Sequence, residues 1–249
     1  MIKFFRHIRK SLLMENKTSK SALPSGRYFK YAIGEILLVV VGILIALQIN
    51  NWNQKKLEKK QEQVVLNQLR LDFEANDSII KKGIEYYDVR FKYNTIILKH
   101  TGPNVILPKD KKTKDSLTGL NFPKVKLVNS SLNISSQQFD ILTNEDLKIN
   151  LSKFPSLYGG YIDVEKETKN LTIKQRTIFK KYVSVLSLDS DFDQENFKSD
   201  WLKLFRDRDF QNTTVDKRWN LKDGFKQLKS LKDENQIIID LIKKEIRND

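Results

Sequence analysis

The chain has 249 residues, no cysteine, two histidines and a formal net charge of +14. The lack of cysteine excludes disulfides, thiolate catalysis and cysteine-ligated metal centres. Residues 1–30 carry eight lysines or arginines against one acid, and the remaining 37 bases and 30 acids leave the rest of the chain only mildly basic. Because a nucleic-acid-binding domain normally carries a concentrated basic face, we expect no nucleic-acid partner.

One apolar segment predicts a membrane span. Ile36 to Leu47 is an unbroken apolar run, and with its weakly polar flanks the segment reaches about 19 residues, a helix of roughly 28 Å, close to the thickness of a bilayer hydrocarbon core. A cleaved signal peptide is disfavoured because the sequence after Leu47, QINNWNQ, has no small-x-small cleavage site. We therefore expect Tyr31 to Asn50 to lie in the lipid bilayer.

The residues before the span, 1–30, form a basic arm. Residues 2–14 place most apolar side chains on one half of a helix and most bases on the other, which is typical of a helix in the membrane interface; a frayed basic tail is the alternative. Bases next to a span favour the cytoplasmic side and attract anionic lipid. We expect a cytoplasmic arm that contacts anionic lipid, with residues 51–249 in the periplasm of a bacterial inner membrane.

One face of the predicted span suggests self-association. Glu35 lies one turn inside the span, where its carboxylate can reach the interface and complement the positive end of the helix. Glu35, Val39, Gly42 and Ala46 share a helical face, and Gly42-xxx-Ala46 is a small-xxx-small pair that lets two helices approach closely. We expect a homo-oligomer through these four residues, although such pairs also arise by chance. A proton path through Glu35 would need partners that a single span lacks.

Residues 51–249 read as a helical bundle. No glycine or proline follows Gly42 before Gly83, so the membrane helix is predicted to continue beyond the span. Three apolar stripes at helical spacing then predict an antiparallel bundle of three long helices, and hence an all-α fold. The stripes are Leu66, Leu69, Phe73, Ile80, Ile84, Tyr87, Phe91 and Leu98; Leu157, Tyr161, Val164, Leu171, Ile178, Tyr182 and Leu186, with Thr168 and Gln175 in the gaps; and Phe210, Leu221, Phe225, Leu228, Leu231, Ile238, Ile242 and Ile246.

Helix-breaking and capping residues predict where these helices begin and end. His100 to Pro103 should end the first helix, and residues 101–134 read as a connector with a solvated run, KDKKTKD, and a short helix near 116–120. A shorter fourth piece is predicted at 135–153, and Pro155 should open the second long helix at its first turn. A short helix near 201–206 and a cap at Asp207 or Asp209 should precede the last helix, which runs to about Arg247.

Residues with catalytic potential are dispersed. His7 and His100 lie on opposite sides of the predicted membrane, so no histidine dyad, triad or metal pair forms within one chain. The sequence also lacks a P-loop and a G-x-G-x-x-G fingerprint. We therefore predict no catalytic, cofactor-binding or metal-ligating residue, and no enzyme.

An acidic segment resembles part of a calcium loop. Asp189, Asp191 and Asp193 alternate, and Asp200 follows eleven residues after the first. The segment lacks the glycine at the sixth position and the glutamate at the twelfth that an EF-hand loop needs. A solvated loop beside a helix is the favoured interpretation.

Two segments at the N-terminus carry a resemblance to a known family. MIKFFRHIRKSLL, followed by KYAIGEILLVVVGILIALQINNWNQ, resembles the opening of a family of single-span membrane proteins of Gram-negative bacteria, domain of unknown function 6090. SSQQFDILTNEDL and LFRDRDFQN resemble its later motifs, and the ALPSG insertion departs from its spacing. The resemblance implies an inner-membrane protein with a helical periplasmic part, and it implies no activity and no catalytic residues.

These observations favour a membrane-anchored interaction or sensory-type module that binds a protein partner and has no enzymatic activity. Two alternatives come from other classes. An envelope hydrolase using carboxylates would show paired Asp or Glu side chains in a deep cleft. A cytoplasm-facing nucleic-acid-binding domain would show a continuous basic face.

Overall fold

The computed structural model describes residues 26–107, 120–122, 124–188, 191 and 197–247, and within these ranges the side chains of residues 32–246. Every regular element in these ranges is a helix, which confirms the predicted all-α fold. The chain divides into two compact units, Met1–Leu57 and Glu58–Asp249.

The first unit contains the apolar part of helix α1, which runs from Gly26 to Lys99. Between Ile33 and Ile49 every large apolar side chain is at least 44% exposed. By length and composition, one helix in the described part of the chain could cross a membrane, and it is α1. The predicted span from Tyr31 to Asn50 thus lies in a helix, whereas the predicted interfacial helix at residues 2–14 falls outside the described residues.

The second unit combines the rest of α1 with shorter and longer helices. These are α2 (Asn129–Leu132), α3 (Ser136–Ile141), α4 (Glu145–Tyr182), α5 (Trp201–Arg206) and α6 (Arg208–Arg247), with a 3-10 turn at Leu186–Leu188. The three long helices α1, α4 and α6 correspond to the three predicted stripes. Leu186, the last predicted member of the second stripe, lies beyond the end of α4 and is exposed.

The start of α4 corrects the prediction that Pro155 opens the second long helix. The helix begins ten residues earlier at Glu145, with Asn144 as its cap, so the predicted fourth piece at 135–153 is split between α3 and α4. Proline costs α4 one backbone hydrogen bond, because it has no N–H to donate. Burial of the preceding turns offsets this loss, since three apolar residues there enter the core: Leu147, Leu151 and Phe154.

Helices α1 and α4 run in the same direction. The rings of Phe73 and Phe154 meet edge to face with centroids 5.0 Å apart, and those of Tyr87 and Tyr161 meet similarly at 6.0 Å. Residue numbers therefore rise together along the two helices.

Helix α6 runs antiparallel to α1 and closes the core. Asn235 donates from Nδ2 to the carbonyl of Phe73 at 3.0 Å, whereas Arg218, earlier in α6, donates from Nε to Thr95 Oγ1 at 2.9 Å. The third stripe faces inward as predicted, and its fully buried members are Phe210, Leu221, Leu228, Leu231, Ile238 and Ile242.

A strap, residues 120–122 and 124–144, runs back along the bundle and explains why α1 and α4 are parallel. It begins beside Arg176 in the second half of α4 and ends where Thr143 donates from its backbone N–H to Glu62 near the start of the second unit. The sequence predicts a connector up to residue 134 and the start of the fourth piece beyond it, yet several strap residues are buried: Leu120, Val125, Leu127, Ser131 and Leu142. The KDKKTKD run and all but the last residue of the predicted 116–120 helix lie outside the described residues.

The end of the bundle opposite Glu58 holds a second apolar cluster. Ile97, Phe179, Phe205 and Phe210 are buried there, and α5 packs across them. Asp207 caps α6 as predicted, since its side chain accepts a hydrogen bond from the N–H of Phe210 at 2.8 Å.

Candidate functional site

A layer of polar side chains interrupts the apolar core between α4 and α6. We call it the polar layer, and it consists of Thr168, Thr172 and Gln175 on α4 with Thr213, Thr214 and Lys217 on α6. All six side chains are buried. Residues of these types seldom lie in a protein interior unless hydrogen bonds satisfy them.

The amine of Lys217 lies at the centre of the polar layer. Nζ donates to Gln175 Oε1 at 3.0 Å and to the carbonyl of Asn121 at 3.3 Å. Gln175 in turn donates from Nε2 to Thr214 Oγ1 at 2.8 Å, and Thr214 donates to the carbonyl of Phe210 at 2.7 Å. The amine is therefore held by a chain of hydrogen bonds that spans α4, α6 and the strap.

The surroundings of Lys217 disfavour its charged form. Burial lowers the pKa of Lys217 from its usual 10.5 to about 7, and the positive charges of Arg90 and Arg176 act in the same direction. An amine with this pKa is divided between its neutral and protonated forms near neutral pH. The polar layer can therefore take up or release a proton under physiological conditions.

Arg176 ties the strap to the same region. Its Nε donates to the carbonyl of Leu120 and its Nη2 to Asn121 Oδ1, both at 2.6 Å. Because Lys217 also binds the carbonyl of Asn121, two basic side chains from different helices hold this point of the strap. The polar layer is thus a joint between the strap and the two helices beneath it.

A second polar group, which lies just before Thr168 along α4, joins the strap through Glu165. Its Oε2 accepts hydrogen bonds from Tyr161 Oη at 2.6 Å and from the N–H of Val125 at 3.0 Å. Tyr158 Oη donates to the carbonyl of the same strap residue at 3.0 Å. Burial raises the pKa of Tyr87 to about 12 and raises the pKa of Tyr161 further, so both phenols stay protonated at neutral pH.

Two buried carboxylates also hold elements together. Asp72 accepts from Ser130 of the strap at 2.5 Å and from Gln68 at 3.0 Å. Glu234 of α6 pairs with Lys153 of α4 at 2.5 Å. In the described ranges no group of three or more His, Cys, Asp or Glu side chains is arranged to hold a metal ion.

Of the residues singled out in the acidic segment, the structure describes Asp191 and Asp200. Asp200 caps α5, accepting a hydrogen bond from the N–H of Lys203 at 3.0 Å and pairing with its Nζ at 3.2 Å. Asp191 is exposed, while Asp189 and Asp193 lie outside the described residues. Of the two histidines, His100 follows the end of α1 with Nδ1 3.2 Å from the carbonyl of Ile106, and His7 lies outside the described residues.

The face predicted for self-association lies in the first unit. Glu35, Val39, Gly42 and Ala46 are all exposed there, and a Cβ added to Gly42 would meet no atom within 4 Å. The chain as described therefore leaves room beside Gly42 for a second helix.

Sequence reasoning missed the polar layer, although a signal was present. Thr168 and Gln175 occupy positions of the second stripe where apolar residues are expected, and Lys217 follows Phe210 by seven residues and precedes Leu221 by four. Polar residues on inward positions of two neighbouring helices indicate a shared buried layer.

Comparison with known proteins gives one match. No curated protein and no solved structure matches this chain. Residues 35–100, which cover most of the apolar segment and the part of α1 in the bundle, match a family model described as a family of unknown function, DUF6090. The resemblance predicted from the sequence is thereby confirmed over residues 35–100.

Proposed function

We propose that this protein is a single-pass, membrane-anchored helical bundle that acts through interaction with a protein partner, without catalysis. The observation that carries the proposal is the continuous exposed apolar surface of α1 between Ile36 and Leu47. An uninterrupted apolar surface of this length is unfavourable in water, whereas a helix satisfies its own backbone hydrogen bonds and is stable in hydrocarbon.

The proposed orientation has the N-terminus in the cytoplasm and residues 51–249 in the periplasm of a bacterial inner membrane. Eight bases precede the span, whereas four lysines lie in the 15 residues after Asn50: Lys55, Lys56, Lys59 and Lys60. Bases close to a span favour the cytoplasmic side, and long C-terminal parts cross largely regardless of their charge. We further propose that the basic arm binds anionic lipid and that Glu35, Val39, Gly42 and Ala46 contribute to self-association in the bilayer.

The roles of the buried titratable groups support an interaction module over a hydrolase. Glu165 and Asp72 each bind the strap, and Glu234 joins α6 to α4. Lys217 is enclosed by the core and donates to its own chain. A hydrolase would instead direct such groups toward a shared cleft. Reproducible hydrolysis of a substrate that is lost on a single Asp or Glu substitution would favour the enzyme alternative.

Membrane fractionation tests the anchor. The wild-type chain should remain in the membrane pellet after extraction with alkaline carbonate. The double variant Val41→Lys, Leu44→Lys should shift to the supernatant, since each lysine near the centre of a span costs about 2.5–3.5 kcal/mol on insertion scales. A matched control, Ile149→Lys with Ile173→Lys, places the same charges at exposed apolar positions of α4 and should stay in the pellet. Recovery of the wild-type chain in the soluble fraction would overturn the proposal.

A further inference from the structure

Within the bundle, α1 carries a second apolar line on its outer side. Val64 is 67% exposed and Leu71 is 56% exposed, and they are seven residues apart. At 100° per residue they lie roughly 180° around the helix from the buried side chains of Leu66, Leu69 and Phe73. The described helices α4 and α6 pack on the inner side, so this outer line is not used by the core.

The line has the period of a coiled coil. The spacing of seven extends in the sequence back to Leu57, which is also exposed. A second series with the same seven-residue spacing lies four residues after Leu57, Val64 and Leu71. Its members are exposed and either polar or small: Gln61, Gln68 and Ala75. A strict seven-residue repeat on a helix is the pattern that supports a left-handed pairing with another helix. Ser78 and Lys82, the next members of the two series, end the apolar repeat.

We propose that this outer face of α1, residues 61–75, pairs in parallel and in register with the same face of a second copy of the chain. A parallel pair related by a two-fold axis places Val64 against Val64 and Leu71 against Leu71 of the other copy. Gln61 would meet its own equivalent, and two amide side chains can donate to and accept from each other. This face is therefore complementary to itself without any change of sequence.

The flanking residues raise no charge conflict in this arrangement. In a parallel coiled coil, a side chain that flanks the contact on one helix faces the side chain five residues later on the other helix. Here the flanking residues are Lys60 and Asn67, which directly precede Gln61 and Gln68. The residues opposite Lys60 and Asn67 would be Val65 and Asp72, both buried in their own bundle, so no like charges oppose each other. The parallel direction rests on the proposed function, because an anchor presents all copies to the membrane in one orientation. The membrane anchor also raises the effective concentration of one copy near another. This matters because a helix contact of only about four turns is weak on its own.

Cysteine cross-linking in native membranes tests the pairing, because the natural chain has no cysteine. The full-length single variants Val64→Cys and Leu71→Cys should each form a disulfide-linked dimer on mild oxidation, since facing positions bring the two Cα atoms within about 4.4–6.8 Å. Ile149→Cys is the matched control, because Ile149 is 63% exposed on α4, away from the proposed face. It should form several-fold less dimer.

The possible results separate the proposal from its rivals. Equal cross-linking at Val64, Leu71 and Ile149, or none at the first two, overturns the pairing. Cross-linking only between co-expressed Val64→Cys and Leu71→Cys chains would indicate antiparallel helices and overturns the parallel arrangement. Leu71→Asp in the Val64→Cys background should abolish the dimer while leaving thermal unfolding unchanged, because Leu71 is outside the core. Fractionation of the same samples keeps the two proposals apart, since a chain found in the soluble fraction contradicts the anchor and not the pairing.

Discussion

Gly224 on α6 packs directly against the ring of Tyr87 on α1. A methyl group added to Gly224 would overlap Cε1 of that ring and lie 2.8 Å from Cζ. The ring has little freedom to move, because it is fully buried and meets Tyr161 edge to face. The glycine that interrupts the third stripe is thus the position at which the last helix fits over an aromatic side chain of the first.

We expect Gly224→Ala to destabilise the bundle by about 1–3 kcal/mol, the usual cost of overfilling a packed core. The measurement is thermal or chemical unfolding followed by circular dichroism. Gly159→Ala is the control, since nothing lies within 4 Å of a Cβ there and alanine should stabilise α4 by about 0.5–1 kcal/mol. Equal effects of the two substitutions would contradict the close packing of Gly224 and Tyr87.

Lys217 should make the stability of the bundle depend on pH. Because the folded-state pKa of about 7 is below the usual 10.5, the unfolded chain holds a proton that the folded chain lacks between about pH 7 and 10. The free energy of unfolding should therefore rise with pH in this window, by up to about 1.4 kcal/mol per pH unit, and be lowest below pH 7. Above pH 10 the raised pKa of Tyr87 should reverse the trend, because the unfolded phenol loses its proton first.

Lys217→Met should remove the rise between pH 7 and 10. It also leaves Gln175 Oε1 and the Asn121 carbonyl without this donor, which costs free energy at every pH, so the slope and not the absolute value is the test. Lys222→Met removes an exposed lysine of the same helix and should keep the wild-type slope. Parallel pH profiles for the wild type and Lys217→Met would show that Lys217 does not titrate as proposed.

The strap should loosen when Asn76 is replaced. Asn76 donates from Nδ2 to Ser131 Oγ at 2.7 Å and accepts from the N–H of Val128 at 2.8 Å. Asn76→Ala leaves the N–H of Val128 without this acceptor and Ser131 Oγ without this donor, and we expect it to cost about 1–3 kcal/mol. Trypsin should then cleave faster after the exposed Lys124 and Lys126.

The control for the strap is Asn133→Ala, which removes side-chain bonds that reach only Asn129. It should leave cleavage after Lys124 and Lys126 at the wild-type rate. If Asn76→Ala is cleaved no faster than this control, the strap is held by its apolar residues and not by the Asn76 hydrogen bonds.

Labelling of introduced cysteines tests the orientation in the membrane. Ser156 is exposed on α4, and Ser11 lies in the basic arm. In intact cells, a thiol reagent that crosses the outer but not the inner membrane should label Ser156→Cys and spare Ser11→Cys until the cells are broken. The opposite pattern would place the bundle in the cytoplasm and favour the nucleic-acid-binding alternative.

The stripes were sufficient to predict the three long helices, because burial on one side of a helix leaves a local and regular trace in the sequence. Phe73, Tyr87, Tyr161 and Leu228 were all expected in the core, and all are buried. The prediction that Pro155 opens a helix was wrong, because the preference of proline for a first turn was outweighed by burial of the residues before it. That burial depends on packing against helices distant in the sequence.

The polar layer and the buried residues of the strap are harder to predict from the sequence. Lys217 becomes distinctive only when Gln175 and the Asn121 carbonyl approach it from separate elements. Val125 and Leu127 lie in a segment without helical or strand periodicity, so nothing local distinguishes them from solvent-exposed apolar residues. Their burial follows from the return of the strap along the bundle, which is a property of the whole topology.

This topology affects how the chain folds while it is being synthesised. Asn235 and Phe73 are hydrogen-bonded across 162 residues of sequence, and the strap occupies the path between α1 and α4. A folding unit built from such distant partners gains little from its early contacts. The strap and α4 therefore cover the apolar side of α1 only in part until α6 has left the ribosome, and a chain truncated before Arg208 leaves part of Phe73 and Tyr87 accessible to any chaperone or protease that it meets.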